Sequence, residues 1–363
     1  MIKGRVYRAG VEIKPAVHYV LDSNLEYEIK KYKEGESFIE NDEVFKHINF
    51  DSGSEFNPIF SMIERYKNYS NLKDIPADIM KFLRSITVIR CIDLPASKKS
   101  GLISLDGIKL NRLLDEKNVT CIDEYINKLF HSFESDVKRF REDVIFPYRV
   151  TYFILLHCAY IVNVNEDYIN QLDKLDEVIK NHGLHKYEIS YYASVIRILD
   201  GFQGFIPCKP NKKTKLKAKN GEDIHGLLPY LNGTAYDIQL LSFSDKLLKA
   251  SDYIKEIRGI ILTKDKNLNE LSKIFSLKRI VIDKKKWEYE IELDISKDKI
   301  LNMLPSESKK IYSERDFSWL SNPVKIAQTP FFPDIESKIN EVENLLREQL
   351  SGKSEVILNS VEI

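Results

Sequence analysis

Short apolar bursts mark the two ends of the chain, and apolar residues at helical spacing fill its middle. Val17, Tyr19, Val20 and Leu21 predict a short buried strand that ends on Asp22. Ser23 and Asn24 then turn the chain into a polar helix, Leu25 to Lys33. The pattern returns at Gly259 to Leu268: Ile260, Ile261 and Leu262 suit a buried parallel strand, and Thr263 and Asp265 lie just past its end. A helix starts with Leu268 to Phe275. Between the two, Tyr236 to Leu241 opens an apolar helix with Asp237 in its first turn. Met1 to Ile13 reads as an edge strand, and Lys278 to Asp283 and Trp287 to Asp294 as two more strands.

From Pro58 to about His182 the signal is helical. Ile59, Met62, Ile63 and Tyr66 repeat at three and four, as do the apolar residues of Ile75 to Ile89. Cys121 to Phe140 is amphipathic, and Val150 to Val164 is apolar all round, as a buried helix is. Glu166 to His182 ends at Gly183, where a helix C-cap is expected, and Tyr187 to Leu199 is a further helix. Pro95 to Gly101 reads as a loop, and Pro323 to Pro333 as a connector. Ile335 to Leu350 is a charged helix, read either as a C-terminal cap or as a docking or dimerisation face. The predicted fold class is α/β, a sheet with flanking helices and an inserted, mostly α-helical subdomain. Residues 1–57 and 183–300 would form the α/β domain, 58–182 the insertion, and 301–363 a C-terminal extension.

Carboxylates at the carboxyl ends of parallel strands sit where α/β folds place their chemistry. Asp22, Asp237 and Asp265 are candidates for one such edge. Crowded acids raise one another's pKa, so a converging set points to a bound cation. Each acid also has an ordinary reading: Asp22 and Asp265 as helix N-caps, Asp237 as a first-turn acid favoured by the helix dipole.

L-D-S-N-L (Leu21 to Leu25), A-Y-D-I-Q-L-L (Ala235 to Leu241) and I-L-T-K-D-K-N-L (Ile261 to Leu268) together resemble the PIN-domain family of metal-dependent nucleases. The resemblance covers about a third of the chain, in two blocks. It implies a PIN-like parallel sheet flanked by helices, Mg²⁺ or Mn²⁺ as cofactor, and hydrolysis of phosphodiester bonds, with RNA the favoured substrate. Asp22, Asp237 and Asp265 would hold the metal. A fourth acid comes from an intervening helix, for which Glu188 is the candidate and Glu64 and Asp200 the substitutes. Asn24 and Thr263 would orient carboxylates or water. A toxin or phage-defence setting follows by family analogy alone.

Charge modifies this picture. The chain of 363 residues carries 55 basic and 55 acidic side chains, so any nucleic-acid surface must come from local segregation. The one dense basic run is Phe202 to His225, a Gly- and Pro-framed loop or hairpin with Lys209, Lys212, Lys213, Lys215, Lys217 and Lys219. It is read as an arm contacting phosphates, against a solvated loop. The four cysteines form no CxxC pair and the histidines no zinc spacing, so reduced thiols in a cytoplasmic protein are expected. No apolar run approaches the roughly 18 to 20 residues of a membrane span. The competing reading is a catalytically inactive PIN-like scaffold that binds nucleic acid or a protein partner through the helical insertion.

Overall fold

The computed structural model of the chain describes residues 5–8, 17–22, 25–39, 55–57, 77–140, 145–165, 167–185, 187–211, 223–247, 258–263, 265–283, 288–321 and 334–351. In chain order these form β1 (Arg5–Arg8), β2 (Val17–Leu21), α1 (Glu26–Ile29), β3 (Glu55–Asn57), α2 (Ala77–Cys91), α3 (Leu94–Ser100), α4 (Gly107–Glu116) and α5 (Ile122–Phe140). Next come α6 (Phe146–Val164), α7 (Tyr168–Asn181), α8 (Glu188–Ile198), α9 (Asp223–Leu247), β4 (Arg258–Thr263), α10 (Lys266–Ser272), β5 (Phe275–Asp283) and β6 (Glu288–Ile295). The last are α11 (Lys297–Met303), α12 (Ser306–Glu314), a 3₁₀ turn at Ser318–Ser321 and α13 (Ile335–Leu350). They divide into two compact units: residues 1–143, 240–272 and 276–294, and residues 144–239, 273–275 and 295–363.

The expected PIN-like parallel-sheet α/β fold is not what the chain forms. Helix dominates the described residues. The larger sheet has the order β1-β4-β2-β3, in strands of only three to six residues. It is mixed, because β1 runs antiparallel to β4 while β2 is parallel to both β4 and β3. The strands β5 and β6 pair apart from it. The reason lies in the sequence balance: strand-forming runs are few and short, and long segments at period 3.6 claim most of the chain.

In the first unit, the two central strands β2 and β4 come from opposite ends of the chain. Their register pairs Tyr19 with Ile260 and Leu21 with Leu262. Tyr19 and Leu21 are buried, and Tyr19 stacks on Phe56 of β3 at 5.1 Å between ring centres. Alternation thus sends one face of β2 into the core. Helix α2 buries Ile79, Phe82, Leu83, Ile86 and Ile89, apolar positions three and four apart, and packs against α1, α4, α5 and β3.

Helix α3 corrects the loop expected at Pro95 to Gly101. The Asp93 side chain accepts from Ala96 N at 2.9 Å, Pro95 sits in the first turn, and Gly101 closes the helix with φ of 71°. Proline at the start and glycine at the end delimit a helix as readily as they punctuate a loop. The expected helix over Ile59 to Tyr66 and the connector Pro323 to Pro333 lie outside the described residues.

The second unit is built on α6, whose residues Val150, Phe153, Ile154, Leu155, Leu156 and Cys158 are all essentially inaccessible. Helices α13, α8 and α7 pack against it. Burial of each such side chain contributes about 1.5–3 kcal/mol, which explains why an apolar helix this long settles at the centre. Among the described residues no helix is long and apolar enough to cross a membrane.

Candidate functional site

Asp22 is the first residue past β2, and Thr263 is the last of β4. Because Leu21 and Leu262 are partners, the next residues of two parallel strands emerge side by side at the carboxyl edge. There the Thr263 hydroxyl donates to Asp22 Oδ2 in a close contact. The same hydroxyl oxygen accepts the backbone N–H of Asp265 at 2.9 Å. One threonine therefore links both acids. Asp22 is 3% exposed and Thr263 1%.

Asp265 also caps α10. Its Oδ1 accepts from Asn267 N at 2.6 Å and from Leu268 N at 3.0 Å, while Leu268 and Leu271 anchor the helix in the core. The capping reading of Asp265 is thus physically present. Asp22 is different: Leu25, the N-cap of α1, makes no side-chain cap, and the Asp22 backbone oxygen accepts from Leu25 N at 3.0 Å.

Two residues near this edge escaped the sequence reading. Glu26, one turn after Asp22, is 2% exposed and ion-paired with Lys30. Its signal was the four-residue spacing, which puts neighbours on one helix face. Asn269 follows Asp265 by four residues, is 5% exposed, and carries a buried Nδ2 without a hydrogen-bond partner. A buried unsatisfied donor is costly, and it suits an anionic oxygen or a water.

The remaining predicted residues lie elsewhere. Glu188 starts α8 and Asp237 lies in α9; both are half-buried and belong to the second unit. Asp237 is not in a first turn, because α9 begins at Asp223. That start also shortens the expected loop Phe202 to His225, whose last three residues are helical. Asp200 follows α8 with φ of 62° and accepts from Tyr168 Oη and, at 3.1 Å, from Gln203 Nε2. Lys209 is exposed; Asn24, Glu64, Lys212, Lys213, Lys215, Lys217 and Lys219 lie outside the described residues.

The two acids at this edge, Asp22 and Asp265, offer oxygen ligands. Mg²⁺ and Mn²⁺ are hard cations that prefer such ligands, and Mg²⁺ is commonly held by one or two carboxylates plus waters and substrate phosphates. Asp22 and Asp265 meet that requirement in chemistry and number. Among the described residues no group of three His, Cys, Asp or Glu side chains is placed to hold a metal ion.

No family model matches this chain, and no curated protein or solved structure matches it.

Proposed function

We propose that the carboxyl edge of β2 and β4 is a divalent-metal site that hydrolyses phosphodiester bonds, RNA being the favoured substrate. The observation that carries this reading is the Asp22–Thr263–Asp265 link, formed by residues 241 apart in sequence at the ends of adjacent parallel strands. The likeness of L-D-S-N-L and I-L-T-K-D-K-N-L to PIN nuclease motifs supplies the reaction class; it concerns those motifs and not the fold. Asp22 and Asp265 would hold Mg²⁺ or Mn²⁺. A bound ion supplies a nucleophilic water at neutral pH and polarises a phosphoryl oxygen. The chain's own part is to fix geometry. Thr263 sets the Asp22 carboxylate and the Asp265 backbone relative to one another, and the buried strands hold Thr263.

A second reading has its own support: both acids already serve protein partners, Asp22 with Thr263 and Asp265 with the α10 amides. In that case the link is a clasp between β2 and β4, and the protein is a binding scaffold.

Cleavage of labelled single-stranded RNA in Mn²⁺ separates them. Asp265→Asn preserves the cap, since asparagine caps as well as aspartate, and Asp22→Asn keeps an oxygen for Thr263. Both variants should therefore fold and lose cleavage by at least about 10- to 100-fold, the loss that disturbing even an outer-shell partner of a metal ligand brings. Wild-type cleavage that survives either substitution unchanged would sink the proposed site, and a wild-type protein inert toward RNA in Mn²⁺ would favour the clasp.

A further inference from the structure

Asn269 breaks the pattern of the helix that carries it. Leu268 and Leu271 are buried beside it, and Asn269 itself is only 5% exposed. An apolar side chain would suit such a position, yet the chain places an amide there. The backbone of Asn269 is fully engaged. Its N–H donates to Asp265 O at 3.1 Å, and its carbonyl accepts from Ser272 Oγ at 2.8 Å. The side-chain Nδ2, in contrast, is buried without a hydrogen-bond partner. A buried donor left in this way lowers stability, and in a native protein it points to a role other than folding.

Its placement indicates that role. The backbone bond from Asn269 to Asp265 closes the first turn of α10, so the two side chains are neighbours, four residues apart on one face. Side chains on a helix lean toward its N-terminus, which inclines the Asn269 amide toward Asp265. Asp265 is in turn joined through Thr263 to Asp22. Asp265 Oδ1 already accepts two backbone amides, those of Asn267 and Leu268. A carboxylate that ligates a metal is kept in direction by donors of this kind around it. Charge decides which side chain can add another. A lysine or arginine would neutralise Asp265 and repel the cation, and an aspartate or glutamate has no donor when ionised. A neutral amide donates and leaves the charge of the site intact.

We propose that Asn269 is a positioning residue of the metal site, its Nδ2 donating to the Asp265 carboxylate when that carboxylate holds the cation. This rests on the metal site proposed above and extends the Asp22–Thr263–Asp265 link by one member. The amide lowers the stability of the chain alone and raises its affinity for the ion.

The test uses the full chain, stripped with chelator. Mn²⁺ binding is measured by titration calorimetry, and urea unfolding is measured without metal. Asp22→Asn identifies the relevant site as the one it removes. Asn269→Leu has nearly the same size and no donor. We expect it to bind Mn²⁺ at that site about 10- to 100-fold more weakly than wild type. Its urea midpoint without metal should equal or exceed that of wild type, because an apolar group replaces an unbonded buried donor. If Asn269→Leu binds as tightly as wild type, Asn269 has no part in the site, although the site itself stands. A lower midpoint, or failure to fold, makes the amide structural and overturns the inference as well. A wild-type chain with no Mn²⁺ site that Asp22→Asn removes would end the proposed metal site and this inference together.

Discussion

Thr263 has the clearest burden of any side chain in the first unit. It is 1% exposed, donates to Asp22 and accepts from the Asp265 amide. Thr263→Val keeps the shape and removes the hydroxyl, which takes one partner from the buried Asp22 carboxylate and one from the half-buried Asp265 amide. The expected cost is about 1–3 kcal/mol in urea unfolding, while Thr263→Ser recovers most of it. Equal midpoints for the valine and serine variants would contradict this. At this scale the sequence was informative wherever a polar residue ended an apolar run, as at Asp22, Thr263 and Asp265. For Glu26 and Asn269 it offered only their four-residue spacing from Asp22 and Asp265, since nothing in a polar helix start announces which side chains will be covered. His157 adds a pH dependence. Burial, then the charges of His182 and Lys338, hold its imidazole down to about 3, against about 6.5 in an unfolded chain. The unfolded chain thus takes up the proton first. Stability is full above about pH 6.5 and falls toward pH 3, by up to about 1.4 kcal/mol per unit. Comparing urea midpoints at pH 7 and pH 5, His157→Gln should show a flatter loss than wild type; an unchanged slope would count against it.

Among the elements, α13 shows which contacts matter. It buries Ile335, Ile339, Val342 and Leu346 and packs on α6. Its N-terminal end adds an ion pair between Glu336 and Arg149, with Glu336 61% exposed. Truncating Leu346 to alanine should cost about 2–5 kcal/mol, and Glu336→Ala less than about 1 kcal/mol. Thermal or urea unfolding of the two variants checks the order, and a larger loss for Glu336→Ala would reverse the assignment. The spacing of α13 was legible because its apolar stripe is regular. The start of α9 was not. Gly226, Pro229 and Gly233 are poor helix formers, and tertiary burial of Leu227, Leu228 and Leu231 overrides them. A reading from propensity therefore starts that helix too late and puts Asp237 in a first turn that does not exist.

For the whole molecule, most strands and most helices could be read locally, but the three-residue strand β3 and the sheet could not. Its central pairing joins Val17–Leu21 to Arg258–Thr263 across nearly the entire chain, and its β1 edge is antiparallel. No local pattern encodes such long-range pairing or direction. Overall charge is neutral, so in the proposed RNA-cleaving reading the lysine run is the expected source of phosphate affinity. Replacing Lys212, Lys213, Lys215 and Lys217 with serine should weaken RNA binding for all sequences alike. It should also flatten the dependence of log K on log salt by up to about 3, at about 0.7 per single-strand contact. An unchanged salt slope would assign the run to a solvated loop.

The pairing of Asp22 with Asp265 as metal ligands is tested most directly by anomalous diffraction from crystals soaked in Mn²⁺. We expect a manganese peak about 2.1 Å from a carboxylate oxygen of each residue, the oxygen distance of a small hard cation, and its loss in Asp22→Asn. A wild-type map with no manganese at the carboxyl edge of β2 and β4, and with ordered manganese elsewhere on the molecule, would contradict the metal site and the function proposed from it.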